Sequence, residues 1–409
     1  MNKFLKEFKD RGFFYQCTSE KELSILLDKE KINGYIGFDC TAESLHVGSL
    51  LQIMCLRLLQ KHGHRPIVLL GGGTTRIGDP SGKDKTRTIL SEEKIEKNIK
   101  SIKAILKNFL NTEDLKTQPI FVNNYLWLKD LNYISFLRDI GKHFTINKML
   151  SFESVKSRLE REQSLSYMEF NYMILQAYDF LELNLKQNCV LQMGGSDQWG
   201  NIVNGVELIK RYSNKQAFGL TTPLITLASG AKMGKTESGA IWLDKRFLSS
   251  YDYWQFWRNI DDSDVLRFLK IFTNLSIDEI KNFENKDVNE LKIILANEAT
   301  TMLHGEKEAK ANEERAKKTF SENSLGSELP SILINKNQLN EKLNIINLII
   351  LSKLETSKSE IRRLIKGNGV KINNKLITDE KLIITTALFK NNFLKLSLGK
   401  KRHIKIDLT

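Results

Sequence analysis

One histidine and two lysines stand in short segments whose residue types suit phosphate chemistry. His46 lies in Leu45-His46-Val47-Gly48-Ser49, and the two lysines lie in Lys232-Met233-Gly234-Lys235-Thr236. At the start of a predicted helix, unpaired N–H groups and the positive end of the helix dipole attract anions. A loop rich in glycine can move and bring two cations onto a transferring phosphate. Each pattern is weak alone, because such a histidine is more often a cap or surface residue and lysine pairs are common in a Lys-rich chain.

Two other glycine-rich loops fail the patterns of the common nucleotide-binding folds. In Gly71-Gly72-Gly73-Thr74-Thr75-Arg76, Arg76 occupies the third glycine position of the dinucleotide pattern. Around Lys83, Ile77 stands where a phosphate loop requires its first glycine, and Asp84 stands where it requires serine or threonine. The sequence therefore predicts a different kind of phosphate site.

A third feature is a polar stripe on a helix that is otherwise apolar. Tyr172, Gln176 and Asp179 are spaced so that one face of a helix presents all three side chains. Apolar neighbours such as Met173 and Phe180 argue against a fully solvated helix. A buried glutamine and a buried carboxylate need partners, and a bound polar ligand would supply them.

Short apolar strands alternate with helices in the first half of the chain. Strands are predicted at 34–38, 67–70 and 189–193, with a helix from about 47 to 62 that stops at Gly63. This alternation predicts an α/β fold with a parallel sheet, whose ligands bind at the carboxyl ends of the strands.

The remainder of the chain has a different organisation. Residues 244–320 are predicted to be helical, with one helix from Val288 to Glu314. The segment 321–330, which ends at Pro330, has the composition of a linker. Beyond it lies a compact unit that begins with helices and ends in the alternating run 394–398.

Charge is unevenly distributed along the 409 residues, whose formal net charge is +13. Residues 351–409 hold fourteen Lys/Arg and five Asp/Glu, a net charge of +9 that leaves +4 for the rest. A basic terminal module suggests a polyanion partner, most simply a nucleic acid. The alternative is compositional drift in a Lys-rich chain, and charge alone does not decide between the two.

Cysteine usage and hydropathy narrow the class of protein. The four cysteines form no CxxC pair, which argues against a zinc site and against a disulfide framework. We see no apolar run long enough to span a membrane, and the N-terminus resembles neither a secretory signal nor a transit peptide. We therefore expect a cytoplasmic protein without a protein-bound metal.

Taken together, the two phosphate-binding segments resemble the paired signatures of class I aminoacyl-tRNA synthetases. Four further segments, in the family's order, resemble bacterial tyrosyl-tRNA synthetases. These are residues 35–39 (YIGFD), 78–83 (GDPSGK), 172–179 (YMILQAYD) and 192–201 (QMGGSDQWGN). The family's second signature histidine is Ser49 here, which keeps a hydroxyl but cannot be cationic.

The resemblance implies roles for individual residues. Tyr35 and Asp179 are expected to bind the phenol of a tyrosine substrate. The implied tyrosine site comprises Tyr35, Asp79, Tyr172, Gln176, Asp179 and Gln192. The implied ATP site comprises Asp39, Thr41, His46, Gly48, Ser49, Gly195, Asp197, Gln198 and Lys235. The implied catalytic residues around the leaving pyrophosphate are His46, Lys83, Arg87, Lys232, Lys235 and Thr236. Two alternatives stay open: Lys83 and Arg87 as surface charges, and Asp197 as a helix cap.

The C-terminal segment 357–373 resembles a small RNA-binding module first described in a ribosomal small-subunit protein. Its basic residues fall within about a turn of one predicted helix, close enough to grip RNA phosphates together. With a second basic patch near the C-terminus, the implied RNA-binding residues are Arg362, Arg363, Lys366, Lys400, Lys401 and Arg402.

The resemblance also implies an architecture and a reaction. The expected fold is a Rossmann-like parallel-sheet catalytic domain, a helical domain and a small α+β RNA-binding domain. The expected bounds are 1–222 with a dimer-forming insertion around 110–180, 223–322 for the signature loop and helical tRNA-binding domain, 323–342 for a linker, and 343–409 for the basic domain. The expected enzyme is a homodimer that joins L-tyrosine to tRNA(Tyr). It would use ATP as a substrate with accompanying Mg²⁺ and no tightly bound cofactor.

Three rival functions are considered. A tryptophanyl enzyme is disfavoured by the pairing of Tyr35 with Asp179 and by the terminal RNA-binding module. A nucleotidyltransferase shares the histidine signature, but such enzymes are shorter. An RNA-binding protein on an inactive scaffold is disfavoured by the intact lysine pair and by Asp79, Gln176 and Asp179.

Overall fold

The chain divides into two compact units, Met1–Ala309 and Lys310–Thr409. The structure, a computed structural model, describes residues 2–79, 90–230, 233–236, 239–283, 285–320, 330–335, 339, 343–389, 392–399 and 402–408. At 153, 154, 235, 236, 319 and 320 it describes the backbone alone.

The larger unit is built on a six-stranded sheet in which one edge strand is antiparallel and the other neighbours are parallel. Across the sheet the strand order is β1-β6-β5-β2-β3-β4. The strands are β1 Gln16–Cys17, β2 Asn33–Phe38, β3 Arg65–Leu70, β4 Ile120–Asn123, β5 Cys189–Gly195 and β6 Phe218–Thr222. The strands predicted at 34–38, 67–70 and 189–193 are thus confirmed.

The order of the strands creates one crevice in this sheet. From β2 the chain proceeds to β3 and β4 on one side, whereas β5 and β6 lie on the other side. Connections therefore leave the carboxyl ends of β2 and β5 in opposite directions, and ligands of such sheets bind where this reversal occurs. Asp39 directly follows β2 at this point, and Gly195 ends β5.

Helices surround the sheet and continue beyond it. They are α1 Lys3–Asp10, α2 Glu20–Lys29, α3 Leu50–Lys61, α4 Glu92–Phe109, α5 Tyr125–Leu128, α6 Tyr133–Asp139, α7 Ile146–Ser151, α8 Glu153–Glu160, α9 Tyr167–Gln187, α10 Trp199–Ser213, α11 Ser250–Arg258, α12 Val265–Phe272, α13 Ile277–Lys281, α14 Val288–His304 and α15 Glu306–Phe320. Across the described residues, no helix is both long enough and apolar enough to cross a bilayer.

Local sequence explains where the two helices nearest the crevice begin and end. α9 starts at a capping box, in which the Ser166 side chain accepts from the backbone of Glu169 and the Glu169 side chain accepts from the backbone of Ser166. It ends before Asn188, whose φ of 48° is left-handed. The helix predicted from residue 47 opens instead as a 3₁₀ turn, and the α-helix proper is α3. α3 stops just before Gly63, as predicted.

The single helix predicted from Val288 to Glu314 is wrong, because the segment forms two helices. α14 and α15 are separated by Gly305, which has φ 90° and ψ 158°. This backbone region is essentially restricted to glycine, so the residue ends the first helix even though the helical pattern continues on both sides. Periodicity alone gave no sign of the break.

Gly305→Ala is expected to lower the free energy of unfolding by about 1–3 kcal/mol, because alanine is strained in this conformation. The added Cβ would meet no atom within 4 Å, so the effect isolates backbone strain from steric clash. Denaturant titration measures it. Gly141→Ala is the control, since Gly141 is outside the left-handed region and its Cβ would make an ordinary 3.5 Å contact. Equal losses in the two variants would contradict the strain.

The smaller unit is an α+β fold built on a five-stranded sheet of order β11-β10-β12-β13-β9, in which only β13 and β9 are parallel. Its elements are β9 Ser331–Ile334, α16 Ile345–Leu351, α17 Lys358–Lys366, β10 Val370–Ile372, β11 Lys375–Leu376, β12 Phe393–Leu398 and β13 Arg402–Leu408. Buried isoleucine and leucine side chains from the helices and strands form one core.

The predicted linker at 323–342 needs correction in its second half. Residues 331–334 form β9 and pair with 405–408 of β13, because Ser-Ile-Leu-Ile supplies β-branched and apolar side chains to the sheet edge. Residues 321–329 lie outside the described part of the chain. The other predicted domain bounds stay predictions.

Candidate active site

A cavity of about 370 Å³ opens at the crevice between the carboxyl ends of β2 and β5. The polar face of α9 forms one of its walls. Of the residues predicted from the sequence, it gathers Tyr35, Asp39, Thr41, Gly48, Ser49, Asp79, Tyr172, Gln176, Asp179, Gln192, Gly195, Asp197 and Gln198. Residues far apart in the chain therefore share one site.

A buried acceptor and a buried hydroxyl lie together in this cavity. Asp179 is 1% exposed and accepts hydrogen bonds from Asn124 Nδ2 at 2.9 Å and from Trp127 Nε1 at 2.7 Å. Burial raises the pKa of Asp179 to about 7, although both hydrogen bonds lower it. Tyr35 is also 1% exposed, and its hydroxyl has no partner among the described residues. Burial, followed by the charge of Asp179, raises the pKa of Tyr35 well above its ordinary value.

Asn124 and Trp127 were missed by sequence reasoning. Asn124 is fully buried, and besides Asp179 it binds the hydroxyl of Thr74 and the backbone N–H of Gly73. A signal existed: the apolar run Ile-Phe-Val before Asn123 and Asn124 marks β4, whose carboxyl end lies at the same edge of the sheet.

Carboxylates give the cavity a negative character. At the end of β2, Asp39 accepts from Thr74 Oγ1 at 3.1 Å and from the Tyr172 hydroxyl at 3.3 Å. Burial, and next the charges of Asp39, Asp79 and Asp179, raise the pKa of Tyr172 well above its ordinary value. The phenol of Tyr172 therefore stays protonated, in a setting that suits a cationic group of a ligand.

His46 lies beside the cavity and caps the 3₁₀ turn Val47–Ser49. Its Nδ1 accepts from the backbone N–H of Gly48 at 3.0 Å, so the neutral ring carries its proton on Nε2. That tautomer can donate to an anion. Close neighbours require Gly48 to be glycine. A Cβ there would lie 2.6 Å from the His46 ring and 2.9 Å from the Met233 carbonyl oxygen.

The first signature segment is bonded through its backbone to residues 241–243, which follow the second signature segment. The N–H of Val47 donates to the Ile241 carbonyl at 2.9 Å, and the N–H of Leu243 donates to the Leu45 carbonyl at 2.9 Å. Gly234 has φ 92°, and a Cβ on it would lie 2.9 Å from the Gly48 nitrogen. The lysine-bearing segment, with hairpin strands β7 Lys235–Thr236 and β8 Gly239–Ala240, thus begins against the helix start that follows β2.

At the opposite wall, Asp197 lies in a 3₁₀ turn between β5 and α10. Gln198, not Asp197, occupies the cap position of α10, and the Gln198 side chain makes no capping hydrogen bond. The alternative in which Asp197 serves as a helix cap is therefore wrong. A Cβ on Gly195 would lie 2.5 Å from the Asp197 carboxylate, so a larger residue at the end of β5 would displace that side chain.

The chain matches two family models over nearly its whole length. Residues 27–321 match tRNA synthetases class I (W and Y), and residues 322–406 match the Tyrosine–tRNA ligase SYY-like C-terminal domain. A tyrosine–tRNA ligase of Pelagibacter ubique (strain HTCC1062) is 78% identical over 408 residues, which cover 100% of both chains. One of Wolbachia sp. subsp. Brugia malayi (strain TRS) is 55% identical, covering 99% of this chain and 98% of the other.

The chain belongs to the tyrosine–tRNA ligase family.

Solved tyrosyl-tRNA synthetases share the architecture. A C-terminally truncated mitochondrial enzyme of Aspergillus nidulans superposes with TM-score 0.70 at 31% identity, over 78% of this chain and 94% of that chain. An Archaeoglobus fulgidus enzyme complexed with L-tyrosine has TM-score 0.57 at 17% identity, over 76% of this chain and 99% of that chain. At so low an identity the similarity is one of fold alone. The predicted family, the class I synthetase function and the α/β fold are thereby confirmed.

Several residues predicted for this synthetase site cannot be placed. Lys83, Arg87 and Lys232 lie outside the described residues, as do Lys400 and Lys401. For Lys235 and Thr236 the backbone is described and the side chains are not.

The basic residues of the synthetase's smaller unit lie on an amphipathic helix. In α17, Ile361 and Ile365 are buried in the core, whereas Arg362, Arg363 and Lys366 are exposed. Arg402 begins β13 and donates to the Leu354 carbonyl at 2.9 Å, so part of its guanidinium is engaged within the unit.

Proposed function

We propose that this tyrosine–tRNA ligase binds the phenol of its tyrosine substrate between Tyr35 and Asp179. The observation that carries the proposal is a buried carboxylate next to a buried hydroxyl that lacks a partner in the described part of the chain. A phenol O–H would donate to Asp179 and accept from Tyr35, which satisfies both groups. A site of this kind rejects phenylalanine, because the buried polar groups of the site would be left without hydrogen-bond partners. A tyrosyl enzyme of this family is a known example of such discrimination.

The ammonium group of tyrosine would be held by Asp79, Tyr172 and Gln176, with Gln192 also in the pocket. The raised pKa of Tyr172, to which the charges of three carboxylates contribute, supports a cationic ligand here. Gln192 is buried, and its Oε1 has no hydrogen-bond partner among the described residues, which supports a contact with the substrate.

ATP would occupy the wider part of the cavity. Asp197 and Gly195 would contact the ribose, with Gln198 beside them, and Asp39 and Thr41 would lie near the α-phosphate. At the start of the helix that follows β2, the Nε2–H of His46 would donate to the pyrophosphate, with Gly48 and Ser49 beside it and the positive end of the helix dipole facing the anion. Lys83, Arg87, Lys232, Lys235 and Thr236 would surround the leaving group. Mg²⁺ would enter as part of the nucleotide substrate.

The reaction would then proceed in two steps without a protein nucleophile. A tyrosine carboxylate oxygen attacks the α-phosphorus in line while the bond to pyrophosphate breaks, which leaves tyrosyl-adenylate. A terminal adenosine hydroxyl of tRNA(Tyr) then attacks the tyrosyl carbonyl carbon, and AMP departs. Positioning and cations that meet the charge developing on pyrophosphate account for the catalysis.

The basic helix α17 and the C-terminal patch would bind the tRNA. Exposed Arg362, Arg363 and Lys366 on one unit support contacts with phosphates. Arg402, Lys400 and Lys401 would extend this surface. Because the enzyme would act on tRNA, we expect it in the cytoplasm.

We also infer a homodimer formed through the helical insertion. Large apolar side chains in it are exposed, which is unusual for a free surface. They are Leu126, Tyr133, Ile134, Ile146 and Tyr167. Sedimentation equilibrium should give twice the 47.1 kDa of the chain.

Pyrophosphate exchange with each of the twenty amino acids in turn tests the proposed function. Label from pyrophosphate should enter ATP only when tyrosine is present. Exchange that depends on another amino acid, or no exchange at all in a folded protein, would refute the tyrosine site. Charging of tRNA(Tyr) then tests the second step.

The affinity for tyrosine is expected to fall as the pH drops through about 7. Above that value Asp179 is ionised and accepts from the phenol, and below it the carboxyl is protonated. Binding measured by intrinsic fluorescence should be roughly ten-fold weaker at about pH 6 than at about pH 8. Phenylalanine, which has no hydroxyl to donate, serves as the control ligand, and the same profile for both ligands would exclude Asp179 as the cause.

A further inference from the structure

A chain of hydrogen bonds connects four polar side chains along one wall of the cavity. Gln198 Nε2 donates to Asp79 Oδ2 at 2.8 Å. Asn201 Nδ2 donates to Gln198 Oε1 at 3.1 Å and to Gln176 Oε1 at 3.0 Å. Asn201 is 6% exposed and lies on α10, whereas Gln176 lies on α9. Asn201 does not line the cavity, but it is hydrogen-bonded to two residues that do, Gln176 and Gln198.

The charge of Asp79 fixes the direction of every bond in this chain. An ionised carboxylate only accepts hydrogen bonds, so the group of Gln198 that faces it must be the NH₂. The oxygen of Gln198 then points the other way and requires a donor. The NH₂ of Asn201 supplies it with one hydrogen and gives its second hydrogen to Gln176. The Oε1 atom of Gln176 is thereby held facing Asn201 Nδ2.

We propose that Asn201 is a positioning residue for the ammonium site of the tyrosine pocket. The inference rests on the proposed function and deepens it. An amide oxygen has two lone pairs, so Gln176 Oε1 can accept from Asn201 and from the substrate ammonium together. Without Asn201, the Gln176 amide is free to turn and present its NH₂ to the cation. The donor–donor contact that results is repulsive.

Replacement of Asn201 should therefore weaken the binding of ligands that carry an ammonium group and spare that of ligands without one. Asn201→Leu removes both donors at similar size and adds no charge. Three ligands separate the contributions: tyrosine, tyramine with the ammonium alone, and 3-(4-hydroxyphenyl)propionate with the carboxylate alone. Dissociation constants for tyrosine and tyramine should rise about ten-fold, whereas that for the propionate should change by less than about two-fold.

Two further variants make the comparison sharp. Asn204→Leu is the matched control, because Asn204 is equally buried one turn along α10 and its Nδ2 has no partner among the described residues. It should leave all three affinities unchanged. Asn201→Ser keeps one donor and should lie between the wild type and Asn201→Leu, and it carries the test if the leucine variant fails to fold.

Equal weakening of all three ligands would identify Asn201 as a structural residue and overturn the proposal. Unchanged binding of all three would overturn it as well. Failure of the proposed function looks different, since the wild-type protein would then show no tyrosine-dependent pyrophosphate exchange. If the wild-type protein shows tyrosine-dependent pyrophosphate exchange and the Asn201 variants bind all three ligands normally, only the role of Asn201 is refuted.

Discussion

Asp179→Asn lowers the affinity for tyrosine by about one to two orders of magnitude without weakening phenylalanine binding. Asn124 Nδ2 and Trp127 Nε1 both donate to the native carboxylate, one to each oxygen. An asparagine has one oxygen and one NH₂, so one of these buried donors would face another donor. The phenol also loses a charged acceptor, which is worth about 1.5–3 kcal/mol.

Equilibrium binding of tyrosine and of phenylalanine to the same variant measures this effect. Glu182→Gln is the matched control, because Glu182 lies one turn along α9, is 9% exposed and binds the Tyr178 hydroxyl away from the cavity. Its tyrosine affinity should stay within about two-fold of the wild type. The phenol assignment fails if Asp179→Asn weakens tyrosine and phenylalanine by the same factor.

Lys235→Ala slows formation of tyrosyl-adenylate by about 10²–10³-fold and leaves the affinity for free tyrosine nearly intact. The backbone supports this separation of effects. Gly234 lies against the start of the helix that follows β2, and its carbonyl accepts from Ile241 at 3.2 Å. The residue that follows is thus anchored beside the proposed pyrophosphate site, whereas the phenol pocket is formed by β2 and α9.

Stopped-flow fluorescence gives the rate of adenylate formation, and equilibrium dialysis gives the tyrosine affinity. Lys245→Ala is the control, since Lys245 is an exposed lysine ten residues along the same segment that lines a different cleft. It should change neither quantity by more than about two-fold. A parallel collapse of tyrosine binding in Lys235→Ala would refute the assigned role.

Features that depend on neighbouring residues were predictable from the sequence. The polar face of Tyr172, Gln176 and Asp179 follows from helical spacing, and apolar runs marked the central strands β2, β3 and β5. Such patterns can be read because each depends on a few consecutive turns of backbone. The break at Gly305 escaped because its conformation does not disturb the periodicity on either side.

Individual hydrogen bonds between distant segments were not predictable. Asn124 and Asp179 are 55 residues apart, and Asn201 and Gln176 are 25 apart, yet each pair shares a hydrogen bond. Nothing near these asparagines in the sequence says which carboxylate or amide they will face. Their roles exist only after the sheet and helices have packed.

By itself, therefore, the sequence determined the reaction class, the types of most residues that line the cavity and the elements that carry them. The tertiary structure decided how those residues are held. It gives Asp179 a pKa of about 7 through burial, sets the direction of the Asp79-Gln198-Asn201-Gln176 chain, and makes Gly48 necessary through the Met233 carbonyl. Desolvation, bond direction and close approach are properties of packed groups, so they arise only when the chain has folded.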